Sequence, residues 1–257
     1  MEKDVVLKRR LLDLANRAYQ RGITTYSDFL SNGDMQVYFG EKSSLNFVNT
    51  AMFGGYEGAE RQIISFSPKE NPADIDDYPI TCLEITPAHK KFAEDLTHRD
   101  YLGAILNLGI ERTLLGDILV TEYAAYLFCK SSIASFIMEE CIKIRHTTVM
   151  VKEIQFQDIS YEQKFEEISG TVSSLRLDSI LTVCTRLSRG KTSELIRCEK
   201  VFINHRLVTS THYIPSDGDV ISVRGIGKFV YSDTDTHLTK KGRQFIKLLK
   251  YLSLIHI

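Results

Sequence analysis

The hydrophobic pattern of residues 80–154 is the feature that most constrains how this chain folds. Apolar side chains alternate with polar ones in some segments of this stretch and recur every three or four residues in others. Alternation is typical of a strand with one buried face, and the longer spacing is typical of a helix. The pattern predicts strands at 80–85, 117–120, 123–129 and 147–154, a long helix at 88–108 and a second helix at 132–142.

In chain order these elements are βαββαβ, which predicts a ferredoxin-like domain over residues 76–157. Many RNA-recognition domains have this fold, and so do many proteins that never meet RNA. The order of elements therefore predicts a fold and is only a weak indication of function.

Residues 1–75 are predicted to form an N-terminal region of helices followed by a hairpin. Near-helical apolar spacing predicts a helix over 4–21. A linker follows the hairpin, because Pro68, Pro72 and Pro79 each remove a backbone donor and restrict the preceding residue. The other expectations are a short helix opening at 25–28, a loop at 31–34, strands at 45–53 and 61–66, and a glycine-containing turn at 54–58.

The third region follows a predicted polar helix or linker at 158–170 and contains two helices with clustered cations. One helix begins at Arg176, and the other begins after Ser188. Ser188 suits an N-cap and so places Arg189 and Lys191 in the first turn, where free backbone N–H groups and the helix dipole favour an anion. The residues therefore predict a helix start that binds phosphate.

A small sheet accompanies these helices in the prediction. Strands are expected at 200–204 and 220–224, and a tight turn at 215–219 precedes the second strand. We expect the helix pair to pack on this sheet.

Charge is divided unevenly along a chain whose net charge is only −1. Residues 171–257 carry 14 Lys and Arg against 7 Asp and Glu, whereas residues 1–170 carry 18 against 26. A basic end attached to an acidic body indicates a polyanion-binding end. This asymmetry favours nucleic acid as the partner of the C-terminal region.

Composition excludes several classes of protein. With 43% hydrophobic and 25% charged residues, the chain is neither disordered nor fibrous. No apolar run approaches the ~18 residues of a membrane helix, and the first ten residues lack the apolar region of a secretory signal. We expect a cytoplasmic protein with no membrane partner.

The cysteines and histidines predict no special chemistry. The five cysteines include no C-x-x-C pair, and the seven histidines lack metal-ligand spacing. We expect no disulfide framework, no metal and no cofactor, and we interpret the cysteines as small buried hydrophobes.

Four short blocks near the C-terminus resemble the S-four RNA-binding domain, the module named after the small-subunit ribosomal protein. They follow the order and spacing of that family across about 55 residues. The blocks are Arg176-Leu177-Asp178, Leu187-Ser188-Arg189, Val201-Phe202-Ile203-Asn204 and Gly218-Asp219-Val220-Ile221.

Two upstream blocks resemble signature segments of one bacterial family, the YlmH proteins. The first is the glycine-rich stretch 54–61, and the second is the stretch 96–109, which contains Thr97-His98-Arg99-Asp100. With these blocks the resemblance extends over nearly the whole chain.

The resemblance implies an α+β protein with an RNA-recognition-like middle domain and a C-terminal S-four domain over residues 171–251, with its core at about 175–230. It also implies ribosome association. YlmH relatives are associated with ribosome quality control, in which they bind large subunits that retain peptidyl-tRNA, and with a cell-division gene neighbourhood. The implied partners are rRNA, tRNA and the large ribosomal subunit, and no DNA is expected.

The resemblance also assigns an RNA face by position, and it includes two departures from the family pattern. Cys198-Glu199 replace the glycine that ends the second helix in relatives, and His205 replaces the common glycine or tryptophan after Asn204. The assigned residues are Arg176, Ser188, Arg189, Lys191, Lys200, Asn204, Arg224, Lys228 and Phe229.

Secondary RNA contacts are hypothesised at Tyr56, Arg61, His98 and Arg99. For Tyr56 and Arg61 the alternative is that the glycines around them simply close a hairpin. For His98 and Arg99 the alternative is a structural role of their helix, in which Asp100 forms an ion pair or a hydrogen bond on the helix surface. We favour this alternative over an RNA contact.

Two other motifs indicate structure more strongly than catalysis. His98-Arg99-Asp100 is similar to part of a kinase catalytic loop, but Ile105 stands where that motif needs Asn. The stretch 225–228 has phosphate-loop glycines but opens no predicted helix, so a turn that holds Lys228 outward is favoured.

Residues 252–257 resemble the translated end of a sequencing adapter and are set aside as an artefact. The leading functional hypothesis is a non-catalytic RNA-binding factor. The alternative is an RNA-modifying enzyme of the pseudouridine synthase type, since S-four domains also accompany such enzymes. A protein-interaction scaffold is a third hypothesis, in which the acidic body makes the contacts.

Overall fold

The computed structural model describes residues 2–89, 94–122, 124–155 and 165–251. The described residues form two compact units, one that extends to residue 155 and one that begins at residue 165. The predicted adapter-like tail at 252–257 lies outside the described residues.

The N-terminal part of the first unit contains two helices and a three-stranded antiparallel sheet of order β1-β3-β2. The first helix is amphipathic, since Leu11, Ala15 and Ala18 recur at helical spacing and are all fully buried. The elements are α1 (Glu2–Arg21), β1 (Thr25–Tyr26), α2 (Asn32–Glu41), β2 (Asn49–Phe53) and β3 (Ile63–Ser67).

Two local predictions in this part are wrong. Thr25 and Tyr26 form a strand paired with β3 where a short helix was expected. The expected loop at 31–34 instead begins α2, because Ser31 and Asp34 form a capping box in which each side chain accepts from the other's backbone N–H.

The rest of the first unit confirms the βαββαβ order and adds one short strand. All neighbouring strands of its five-stranded sheet are antiparallel, in the order β5-β6-β4-β8-β7. The elements are β4 (Ile80–Pro87), α3 (His98–Asn107), β5 (Leu115–Val120), β6 (Ala125–Lys130), α4 (Ser131–Glu140), β7 (Lys143–Ile144) and β8 (Thr147–Ile154).

The long helix predicted at 88–108 is shorter in its described part. Residues 94–97 are not helical, and residues 90–93 lie outside the described part of the chain. The helix begins at His98 because Thr97 and Asp100 form a second capping box.

The two faces of the five-stranded sheet are covered by different elements. Helices α3 and α4 cover one face, with Leu83, Ile105 and Ile137 fully buried between the layers. On the other face the ring of Phe128 stacks on the ring of Tyr56, with centroids 5.1 Å apart. The N-terminal part of the unit therefore occupies the sheet face that the helices leave open.

The second unit is a six-stranded antiparallel sheet of order β11-β10-β12-β13-β14-β9, with two helices packed on one face. Leu181, Ile196 and Phe229 are fully buried in its core. The elements are β9 (Phe165–Val172), α5 (Leu177–Thr185), α6 (Arg189–Arg197), β10 (Val201–Ile203), β11 (Arg206–Leu207), β12 (Val220–Val223), β13 (Gly227–Leu238) and β14 (Gln244–Tyr251).

The helix or linker predicted at 158–170 is wrong over its described part, because residues 165–170 belong to β9. This strand pairs with β14 along its whole length, from Phe165 opposite Tyr251 to Val172 opposite Gln244. The pairing supplies the backbone partners of β9, and it makes β9 part of the sheet rather than a connection to it.

The helix end at Cys198 and Glu199 forms without the glycine that is usual there. Glu199 adopts a φ of 56° and takes the left-handed position. The N–H of Lys200 donates to the carbonyl of Leu195 at 3.1 Å, and that of Glu199 donates to the carbonyl of Ile196 at 3.1 Å. These two bonds make a Schellman motif, so the departure from the family pattern preserves the cap at some cost in backbone strain.

The glycine turn before β3 provides a test of the packing. Gly55 has a φ of 101°, and an added Cβ would overlap the Phe128 ring, whereas Gly103 in α3 has nothing within 4 Å. We expect Gly55→Ala to lower the free energy of unfolding by about 2–4 kcal/mol through strain and overpacking. Gly103→Ala should raise it by about 0.5–1 kcal/mol.

Urea unfolding followed by circular dichroism measures both changes. Equal effects of the two substitutions would contradict the packing of Gly55 against Phe128.

Candidate nucleic-acid interface

The first turn of α6 carries two of the predicted RNA contacts. Ser188 occupies the N-cap position with φ −65° and ψ 153°, as predicted, but its side chain makes no capping hydrogen bond. Its carbonyl accepts from the N–H of Thr192 at 3.0 Å. The first N–H groups of a helix have no partner within the helix, so this start keeps donors for an anion.

A buried carboxylate lies behind this helix start. Asp178, in the first turn of α5, is 3% exposed and accepts a hydrogen bond from Nε of Arg189 at 2.8 Å. Nε of Arg176 lies 3.4 Å from the other carboxylate oxygen. One carboxylate thus holds an arginine from the start of each helix.

The pKa of Asp178 reflects two opposing effects. Burial alone would raise it, but the hydrogen bond from Arg189 and the charges of Arg189 and Arg176 outweigh burial and lower the pKa below its usual value. The carboxylate is therefore ionised at neutral pH and can anchor both guanidinium groups.

The anchored arginines remain accessible. The side chain of Arg189 is 51% exposed and that of Arg176 is 32% exposed, although Asp178 beneath them is buried. Lys191 is exposed on the same helix turn. The structure therefore brings together Arg176, Ser188, Arg189 and Lys191 as one basic cluster, which we call the α6 cluster.

Lys200 and Arg224 form a second pair of predicted contacts. The N–H of Arg224 donates to the carbonyl of Lys200 at 2.9 Å, and both side chains are exposed. The guanidinium of Arg224 lies 5.8 Å from the centroid of the Phe202 ring. A cation held over an aromatic ring in this way keeps a defined position at the end of β12.

The turn predicted in the stretch 225–228 is confirmed, but Lys228 lies in β13 and is half-buried where an outward position was predicted. Gly225 and Gly227 both have positive φ, and the strand pair β12–β13 closes at Val223 opposite Gly227. The ammonium of Lys228 lies 5.4 Å from the centroid of the Tyr251 ring.

Asn204 has a structural role in the hairpin between β10 and β11. It and His205 have φ of 49° and 66°, as the two central residues of a tight hairpin turn require. Its amide nitrogen donates to Asp219 at 2.7 Å, and its amide oxygen accepts from the N–H of Val220 at 3.0 Å. These bonds hold the turn against β12.

The structure corrects the prediction for Phe229. Its ring is 0% exposed and lies in the core of the second unit, because the odd-numbered residues of this part of β13 face the helices. The phenyl ring is therefore unavailable to a base, and we remove Phe229 from the interface.

The predicted RNA contacts of Tyr56 and Arg61 are also wrong, since both side chains make internal contacts. The hydroxyl of Tyr56 donates to Asp117 at 2.9 Å, and Arg61 donates to the carbonyls of Leu115 and Phe29 at 2.8 and 3.0 Å. Burial lowers the pKa of Arg61. These groups tie the N-terminal part of the first unit to β5.

The three residues His98, Arg99 and Asp100 at the start of α3 differ in exposure. Arg99 is exposed, whereas His98 is half-buried, and burial together with the charge of Arg112 lowers its pKa. Asp100 accepts from Thr97 and lies 3.5 Å from Arg145, which confirms the helix-surface interpretation of this carboxylate.

The cysteines are buried with one exception. Cys82, Cys129, Cys141 and Cys184 are buried as predicted, and burial raises the pKa of Cys82 and of Cys129 to about 12. Cys198 is exposed at the end of α6, where the prediction of a buried residue is wrong.

The described residues contain neither a metal-binding cluster nor a helix that could span a membrane. Within the described ranges, no group of three or more His, Cys, Asp and Glu side chains could hold a metal ion. None of the helices described here combines the length and apolar character needed to cross a bilayer.

Sequence reasoning missed the anchoring role of Asp178 and the cations of the β13–β14 hairpin. The only sequence signal for Asp178 was its place after Arg176-Leu177 at a helix start, which does not reveal burial. The hairpin cations Lys240, Lys241 and Arg243 were missed because neither strand was predicted.

Comparisons with known proteins identify the family. Residues 72–158 match the family model described as "Putative RNA-binding domain in YlmH". The Ribosome-associated protein quality control protein P2 of Bacillus subtilis (strain 168) is 30% identical over 203 residues, which are 79% of this chain and 78% of that protein. This chain belongs to the YlmH family.

A solved YlmH structure shares the fold over part of the chain. It is the "Cell division protein ylmH from Streptococcus pneumoniae", with a TM-score of 0.50 and 23% sequence identity. The similarity covers 61% of this chain and 93% of that chain. This structural similarity agrees with an α+β fold.

The anchoring by Asp178 predicts a pH-dependent stability. We expect Asp178→Asn to lower the free energy of unfolding at pH 7 by about 1–2 kcal/mol, since both partner arginines are partly screened by solvent. Because the folded-state pKa is lowered, the contribution of Asp178 is present above the unfolded pKa of about 4 and is lost as the pH falls through the folded pKa.

The pH dependence of this stabilisation is tested by the melting temperatures of the parent and of Asp178→Asn, measured from pH 7 to pH 2.5. The difference between the two proteins should shrink below about pH 4. A difference that stays constant over the whole range would show that the charge of Asp178 does not stabilise the unit.

Proposed function

We propose that this protein is a non-catalytic RNA-binding factor that acts on the ribosome, and that the α6 cluster is its principal phosphate-binding site. The single observation that carries this proposal is the arrangement of Arg189 and Lys191 at a helix start whose arginine is anchored by buried Asp178. Charge-assisted hydrogen bonds from such groups and from helix N–H groups are those that RNA phosphates accept.

We also propose the domain organisation that this function uses. The second unit is assigned as an S-four domain over residues 171–251, preceded by a ferredoxin-like, RNA-recognition-like domain over 76–157 and an α+β region over 1–75. The pair of helices on an antiparallel sheet supports the S-four assignment. The strand order β5-β6-β4-β8 supports the ferredoxin-like assignment.

The proposed partners are rRNA, tRNA and the large subunit that retains peptidyl-tRNA. The name of the Bacillus subtilis relative supports an assignment to ribosome quality control. The large subunit and the retained tRNA are proposed as partners on the basis of the family resemblance.

The middle domain is proposed to contribute RNA contacts or orientation from a surface other than its open sheet face. RNA-recognition domains stack bases on that face. Here Tyr56 stacks on Phe128, and Phe128 is 1% exposed. A base can reach this part of the face only if the N-terminal part of the unit moves away. Exposed Arg99 on α3 is therefore the better candidate for an RNA contact of the middle domain.

Loss of the α6 cluster should weaken RNA binding. We expect Arg189→Ala/Lys191→Ala to raise the Kd for purified large-subunit rRNA about 10- to 150-fold, which corresponds to about 1.5–3 kcal/mol for charged hydrogen bonds. The variant should also be released from ribosomal particles. Filter binding and sedimentation measure these effects.

The matched control removes the same number of cations from α1. Arg9→Ala/Arg17→Ala changes two exposed arginines and keeps the same net charge as the test variant. Because Arg189 also pairs with Asp178, a fall in stability of about 1 kcal/mol is expected for the test variant. Unchanged RNA and ribosome binding, with the protein folded, would refute the placement of the RNA face.

The two units should differ in their affinity for RNA and in its salt dependence. We expect a fragment of residues 161–257 to bind structured RNA, and a fragment of residues 1–160 to bind it much more weakly. The fragment must include β9, since that strand pairs with β14 from Phe165 onward.

If about five phosphates are contacted, the slope of log K against log salt should be roughly −3.5 to −4.5. A flat slope over a tenfold change in salt concentration would contradict phosphate binding by the C-terminal fragment.

A further inference from the structure

The tip of the β13–β14 hairpin carries three cations that the α6 cluster does not include. Lys240, Lys241 and Arg243 lie between the end of β13 at Leu238 and the start of β14 at Gln244. All three are exposed. We call these three residues the hairpin tip.

The charge at the tip end of the hairpin is positive, whereas Asp233 and Asp235 precede it in β13. From residue 236 to residue 251 the sequence contains five Lys and Arg and no Asp or Glu. Such an imbalance within one hairpin produces a local positive potential, which attracts a polyanion.

The five cations between residues 236 and 251 fall into two groups. Lys247 pairs with Glu167 at 2.8 Å, and Lys250 lies 3.5 Å from Glu166, so β9 supplies acidic partners for the body of the hairpin. Among the described residues, no carboxylate forms an ion pair with the cations of the hairpin tip. The charge that remains without a protein counter-charge is therefore concentrated there.

The turn that presents these cations has a fixed conformation. The N–H of Thr239 donates to the carbonyl of Arg243 at 2.7 Å, and the N–H of Gly242 donates to the carbonyl of Thr239 at 2.9 Å. Gly242 takes a φ of 71°, which is the left-handed residue of a type I turn with a bulge. A fixed turn loses little conformational entropy when it binds.

The tip is also tied to the strand that leads into α5. The guanidinium of Arg243 donates to the carbonyl of Thr171 at 2.8 Å. Thr171 lies five residues before Arg176, so their Cα atoms are at most about 18 Å apart. The hairpin tip and the α6 cluster therefore lie within reach of one folded RNA.

An aromatic pair lies next to the tip, in which His237 is exposed and Phe245 is half-buried. The rings of His237 and Phe245 are stacked with centroids 5.0 Å apart and an interplanar angle of 27°. His237 is exposed, so its outer face offers a stacking surface beside the cations. Cations interleaved with aromatic rings are typical of RNA-binding surfaces.

We propose that the hairpin tip is a second RNA-binding site, in which Lys240, Lys241 and Arg243 contact the phosphate backbone of the same RNA that the α6 cluster binds. The proposal rests on the RNA-binding function proposed above. It adds a site that the resemblance to the S-four domain did not assign.

The test variant is Lys240→Ala/Lys241→Ala/Arg243→Ala in the full chain, with purified large-subunit rRNA as the probe. Its Kd should rise about 10- to 100-fold at low salt, and the salt slope should become less steep by about 2–2.7 because three phosphate contacts are lost. The backbone bonds of the turn at Thr239 and Gly242 are retained, so the turn should persist. The variant loses the exposed bond from Arg243 to Thr171, so a small fall in thermal stability is expected.

The control Arg9→Ala/Arg17→Ala/Arg21→Ala removes three exposed cations from α1. It gives the same net charge, and it should leave the Kd and the salt slope close to those of the parent. If the control weakens binding as much as the test variant does, the effect is one of net charge and the proposal is overturned.

Comparison with Arg189→Ala/Lys191→Ala distinguishes this site from the α6 cluster. A tip variant that binds rRNA as the parent does, while the α6 variant is weakened, overturns the second site and leaves the proposed function standing. If neither variant is weakened, the proposed function fails as well. A tip variant that keeps its rRNA affinity but leaves ribosomal particles would indicate a protein contact, which also overturns the proposal.

Discussion

The carboxylate of Asp178 is the interaction on which the basic surface of the second unit depends. It is 3% exposed, yet it accepts from Arg189 of α6 and lies 3.4 Å from Nε of Arg176 at the start of α5. A buried charge is costly unless it is paired, so α5 and α6 keep the positions that supply these arginines. The same pairing holds the exposed ends of the guanidinium groups before any RNA arrives, which reduces the entropy lost on binding.

A second buried aspartate has the opposite effect in the first unit. Asp117 accepts from the hydroxyl of Tyr56 and from the N–H groups of Glu60 and Arg61, at 2.9, 2.7 and 3.2 Å. These bonds hold the ring of Tyr56 and the backbone of Arg61 inside the protein, where the guanidinium of Arg61 donates to the carbonyls of Leu115 and Phe29. Asp178, in contrast, fixes its arginines at the surface, so an arginine and a tyrosine in a signature block can be structural.

Most elements were predictable because their patterns are local, whereas β9 depends on a non-local pairing. The strand Thr147–Ile154 was predicted without error, since its β-branched alternation suffices. β9 was read as a helix or linker because its half-exposed residues become a strand only through pairing with β14, about 80 residues later. Among the predicted RNA contacts, Lys191 lies at the surface but Phe229 is buried, because the sequence alone does not show which face of β13 meets the helices.

The pairing of β9 also gives the second unit its functional geometry. Through this strand, Arg243 is bonded to Thr171 shortly before the chain enters α5, and α5 in turn holds Arg189 through Asp178. The two groups of cations are thus carried by one hydrogen-bonded framework and keep a fixed separation. Phosphate contacts carry no base identity, but two rigid groups of them select an RNA by the spacing and direction of its backbone. We therefore expect the two proposed sites to recognise the folded shape of an RNA more than its sequence.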